Sequence, residues 1–177
     1  MISITVDVQT QDALRALKQQ AANVIAAERN TLEDLRQGIR ADLAKVTATW
    51  EHQPVFFEQK QRAEAGYLFA GEIRITTNDR IYRFVDQGTR PHIITARPGH
   101  VLAFQAHYTR KTYPGFITST AGGRSGPLIF RRSVRHPGTK PRKFTETIMR
   151  KWQQQAGTLM ARRVKMALSG MDMGTWK

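Results

Sequence analysis

The sequence predicts an α+β domain: an antiparallel β-sheet meander packed against N-terminal helices and a long C-terminal helix, with an extended loop or hairpin arm. Three observations carry that prediction. Early in the chain, Leu14, Leu17, Ala21 and Val24, then Leu32, Leu35, Ile39, Leu43, Val46 and Trp50, recur at helical spacing. Near the end, Phe144, Ile148, Trp152, Ala156 and Leu159 repeat the pattern. Between the two, short apolar runs are separated by Gly, Pro, Thr and Asn, the usual punctuation of antiparallel strands.

In order, Ile2, Ile4 and Val6 alternate with polar residues and read as a short half-buried strand. Thr10 is a helix cap, with Asp12 in the first turn. Thr31 and Asp34 stand three apart, as in a capping box, so the spacing predicts two helices that break near Asn30. Gly38 weakens the second by about 1 kcal/mol relative to alanine, and Pro54 bounds it. Gln59 to Ala65 is polar and reads as loop or helical turn. Tyr67, Phe69, Ile73 and Ile75 form one strand face; Thr77 to Arg80 is a turn, and Ile81 to Val85 leads back as the other strand of a hairpin. A short apolar strand, Val101 to Phe104, precedes a stretch rich in Gly, Ser, Thr and Arg. Residues 106–127 are expected to form an extended loop or arm, with Leu128 to Phe130 resuming the sheet. The final helix runs roughly to Leu168, and residues 169–177 are expected to be a flexible tail on a single domain spanning 1–177.

The centre of this arrangement is Val85 to Phe144. It opens with Val85-Asp86-Gln87-Gly88-Thr89-Arg90-Pro91-His92 and closes with Arg135-His136-Pro137-Gly138-Thr139-Lys140-Pro141-Arg142-Lys143-Phe144. Each end is a strand-like run that stops in a Gly-Thr turn beside a histidine and a proline, and each is expected to be a sheet corner.

Composition narrows the function classes. With no cysteine, disulfides and thiolate metal sites are excluded. No apolar run spans a bilayer and no N-terminal signal is visible, so no membrane partner is expected. The net charge of +14 is one-sided: residues 1–89 hold 11 basic and 12 acidic side chains, whereas residues 90–177 hold 17 basic and only Glu146 and Asp172. That asymmetry points to an acidic partner, nucleic acid or protein. Arg131, Arg132, Arg135, Arg142 and Lys143 form the densest basic cluster, and Arg110, Lys111, Tyr113 and Arg124 lie in or beside the expected arm. These are the candidate partner or DNA contacts, and Tyr108 and Tyr113 the candidate exposed rings. Phe130, Phe144, Trp50 and Trp152 read as core.

Five histidines invite a metal or catalytic reading, with His92, His100 and His136 as the set a hydrolase would use. Asp86 is the only acid from Arg80 to Thr145, however, so carboxylate partners for such a site are scarce. Hydrogen bonds from His92 and His136 to backbone at the two turns are the simpler expectation. No catalytic residue, metal site or cofactor is assigned.

Phe84 to His92, then Leu102-Ala103-Phe104, then Val134 to Phe144 resemble the tail-completion or neck proteins of long-tailed bacteriophages, also called minor tail proteins. That family shows a Gly-Thr followed by a basic stretch, a leucine-phenylalanine strand and a His-Pro-Gly turn before its last helix. The likeness covers residues 81–168. The family commonly has Pro-x-x-Thr-Gly after its first helices, where this chain has Trp50-Glu51-His52-Gln53-Pro54. The resemblance implies a structural virion protein, not an enzyme. Copies of the chain would form a ring at the head–tail junction, beside adjoining neck, tail terminator or tail tube proteins, with DNA passing through the lumen. Residues 106–127 would be the arm between subunits. A basic nucleic-acid-binding module is the alternative.

Overall fold

The structure, a computed structural model, describes residues 10–65 and 68–169. The strand expected near Ile2 and the tail beyond Ser169 lie outside the described residues. The elements are α1 (Thr10–Thr47), β1 (Phe57–Ala65), β2 (Leu68–Thr76), α2 (Arg80–Gln87), β3 (His92–Thr95), β4 (Leu102–Tyr108), β5 (Arg124–Arg131), β6 (Ser133–His136) and α3 (Phe144–Leu168). The class is α+β, as expected. Among the described residues the strands form three separate antiparallel pairs, β1 with β2, β3 with β6 and β4 with β5, in place of one continuous meander.

Three local expectations change. The predicted break near Asn30 is absent: α1 is a single helix of 38 residues. Thr31 is fully buried, and its hydroxyl donates to the Ala27 carbonyl at 2.8 Å, so it is satisfied inside the helix and caps nothing. Asp34, the other half of the expected capping box, pairs with Arg163 of α3 instead. The helix ends where Gln53 Nε2 donates to the carbonyls of Thr47 and Trp50 at 2.9 and 2.8 Å. Residues 81–85 are helix, not strand. Asp79 sits at the N-cap with extended backbone, and its carboxylate accepts from Tyr82 N–H at 2.6 Å. The polar segment read as loop is strand β1, so the hairpin lies one element earlier than expected.

The chain divides into two compact units. Of the described residues, one comprises 10–36, 59–65, 68–74 and 154–169, and the other 37–58 and 75–153. In the first, Ala27, Thr31 and Ala167 are buried, and Glu33–Lys60 and Asp34–Arg163 ion pairs tie α1 to β1 and to α3. The second holds the main core: Leu43, Val46, Tyr82, Phe144 and Ile148, flanked by Ile39, Trp50, Phe56, Ile75, Val85, Ile117 and Trp152. Four aromatic rings meet in it, with Tyr82 5.1 Å from Phe144, 5.2 Å from Phe56 and 6.2 Å from Trp50 between centroids. Trp50, Trp152 and Phe144 are thus core, as read from their stripes. Phe130 is not: it is exposed on β5. Asp42 of α1 is buried and accepts from Lys151 Nζ and from Trp152 Nε1, the latter at 2.9 Å, so α1 and α3 share a polar contact beside the apolar one.

Candidate functional site

The two Gly-Thr turns, expected as separate sheet corners, form one structure. Thr89 N–H donates to the Thr139 carbonyl at 2.9 Å, and Thr139 N–H returns the bond to the Thr89 carbonyl at 3.1 Å. The Thr89 hydroxyl accepts from the same Thr139 amide at 3.0 Å. Each glycine holds φ in the left-handed region, 76° at Gly88 and 85° at Gly138. A Cβ on Gly88 would lie 2.5 Å from the Thr139 carbonyl oxygen, and one on Gly138 would lie 2.4 Å from that of Thr89. Only glycine meets both demands, so each turn requires its glycine because the other turn is packed against it. Past Pro137 and Pro91, β6 and β3 pair antiparallel, with His92 directly opposite His136.

The clasp also joins two helices. The amide of Arg142 donates to the Val85 and Asp86 carbonyls, and that of Lys143 to Asp86, so the end of α2 is satisfied by the segment entering α3. In return, the Asp86 carboxylate accepts from Thr145 N–H at 3.1 Å at the start of α3. The one acid of this stretch is therefore a helix cap. The sequence signal was available, since an isolated acid among so many bases marks a structural partner, but its target lies 59 residues away.

The histidines behave as the simpler expectation holds. His92 Nδ1 donates to the Arg90 carbonyl at 2.8 Å, and His136 Nδ1 accepts from Gly138 N–H at 3.0 Å. The rings lie 5.0 Å apart. This bonding puts the ring proton of neutral His136 on Nε2, which leaves that nitrogen no lone pair for a metal. Among the described residues, no group of three or more His, Asp or Glu side chains could hold a metal ion. His100 is in an exposed turn closed by its amide on the Arg97 carbonyl.

The expected arm is shorter and folded back. Strand runs in from both sides, so the connection is residues 109–123. It is zipped at its base by Thr109 N–H to Gly123 and Thr120 N–H to Lys111. Lys111 Nζ donates to the Thr49 carbonyl at 2.8 Å, Ser119 Oγ to that of Lys45 at 2.9 Å, and Ile117 packs on the core. An apolar residue and a buried Thr112 inside a loop supply the burial that keeps it home. Tyr113 and Phe116 remain exposed at 42% and 64%.

The basic candidates divide accordingly. Arg131, Arg132 and Arg135 are exposed, and none has a carboxylate partner among the described residues; Arg131 bonds only the neighbouring Phe130 carbonyl. Arg110 is exposed at the loop's base. Lys111 is drawn inward, and Arg124 pairs with Glu51. Together with Glu51, the one carboxylate that both cations share, they line an open groove of about 840 Å³. Lys143 is exposed, with φ 55°, and lies 3.4 Å from Glu146. Arg142, expected on the surface, is buried, because its backbone is drawn onto the end of α2. No helix among the described residues is long and apolar enough to cross a membrane.

No protein-family model matches this chain, and no curated protein or solved structure matches it either.

Proposed function

We propose that this chain is a building block of a tailed-phage or prophage particle, a neck or tail-completion subunit that forms a ring with copies of itself and helps join tail to capsid. The family resemblance of residues 81–168 supports this reading. The observation that carries it furthest is the outer face of the strand pairs. Across β4 and β5, Ala103 opposes Phe130 and Gln105 opposes Leu128, and this face is uncovered: Leu128 is 56% and Phe130 54% exposed. Ile93 on β3 is 70% exposed. Each pair has only two strands, so each presents open edges. Apolar side chains on open-edged ribbons are surfaces that neighbours cover, and a ring offers two unlike neighbours to every subunit.

The test uses the phage or prophage that encodes the chain. Leu128→Lys with Phe130→Lys, on the outward face, should leave the subunit folded by circular dichroism. Electron micrographs should then show free heads and tails in place of joined particles. Fully joined, infectious particles from that double variant would overturn the assignment, as would absence of the chain from purified particles. Substitution is a cleaner test than excision of residues 109–123, because Ile117 packs on the core.

A further inference from the structure

Among the described residues, Arg142 is an unusual charge. It is only 7% exposed, and its Nε and Nη1 are each buried without a hydrogen-bond partner. Buried cations are ordinarily paired, because the loss of water is offset only by an acceptor or a counter-charge. The residues around it supply neither. Its backbone amide is committed to α2, and the nearby Asp86 carboxylate is committed to Thr145. Burial pushes the guanidinium below the usual arginine range, and Arg110 pushes it further in the same direction. The other groups acting on its charge are the phenols of Tyr108 and Tyr113, with no carboxylate among them.

We infer that Arg142, buried with two donors unmet, is the receptor for a small oxyanion, a phosphate or a carboxylate. An oxyanion supplies what water does not: acceptors that also carry the missing negative charge. Burial favours a small group over a duplex backbone. Arg110, a second cation whose charge acts on Arg142 and which has no carboxylate partner among the described residues, gains from the same ligand. The inference stands whether or not the chain is part of a particle.

The experiment compares sodium chloride, inorganic phosphate and acetate at matched ionic strength on the full chain. Phosphate or acetate should move the Arg142 Nε–H resonance saturably and raise Tm by about 2–4 °C over chloride. A phosphate response marks a phosphoryl ligand, and an acetate response marks an acidic side chain of a neighbour. Arg142→Met, which removes an unpaired buried charge, should melt above the parent in chloride and lose its response to the oxyanions. If Arg142→Met fails to fold, Arg110→Gln should weaken the response while leaving the resonance visible. Equal Tm values in the three salts with a stationary Nε–H resonance would overturn the inference and leave Arg142 solvated by water alone.

Discussion

Tyr82 sits where four rings meet, and its hydroxyl touches Thr145 at 2.9 Å. Burial pushes its ionisation up to about 12, and the nearby Asp86 adds to the shift. The folded value lies above the unfolded one, so the stabilisation is fully present below pH 10 and is lost as pH rises through about 12. A two-unit shift corresponds to roughly 3 kcal/mol. A spectrophotometric titration should therefore show one phenol ionising late, together with unfolding. Tyr82→Phe should cost about 1 kcal/mol at neutral pH through the lost Thr145 bond and should remove the alkaline step. The burial of such residues was partly legible: Trp50 and Phe144 stood on apolar stripes. Arg142 was not, because an arginine amid other arginines reads as surface until the backbone bonds that pull it inward are seen.

Among the elements, the long helices were legible in period and α3 even in extent. What the sequence hid was context. Thr31 looks like a cap because a hydroxyl at a helix start and one turned back inside a helix are the same residue type. Residues 81–85 look like strand because four of the five, Ile81, Tyr82, Phe84 and Val85, are aromatic or β-branched, while Asp79 decides for helix. Gly38 looked like a weak point in α1, yet a Cβ there would lie 2.1 Å from the Trp152 ring, which Asp42 holds by its Nε1. Gly38→Ala should therefore destabilise by about 1–2 kcal/mol, since overpacking outweighs the gain in helix propensity. Gly157, inside α3 with no atom within 4 Å of its would-be Cβ, is the control. Gly157→Ala should stabilise by about 0.5–1 kcal/mol. Urea unfolding of the two variants reads both signs.

For the whole molecule, the charge asymmetry was open to reading from the start, and the structure refines which charges are free to act. Lys111 and Arg142 are drawn inward and Arg124 is paired with Glu51 at the surface, whereas Arg131, Arg132 and Arg135 face solvent around the bend between β5 and β6. If DNA is the acidic partner, replacing those three with glutamine should flatten the slope of log affinity against log salt by roughly 3, in a filter-binding series. An unchanged slope would move the DNA contact elsewhere. The fold class was legible because it rests on period and punctuation. The pairing of strands was not, since β3 finds its partner forty residues downstream across another hairpin.

The Thr89–Thr139 bridge has one more consequence. It makes the intervening strands and loop an excursion that leaves and re-enters the chain at a single point, between two helices already linked by the Arg142 and Lys143 amides. A loop whose ends are fastened together passes little of its own change of length or sequence to what lies outside. The outward strands of the excursion can therefore be rewritten for whichever neighbour they meet, while Lys111, Ile117 and Ser119, which return to the helix end and the core, are held with the scaffold.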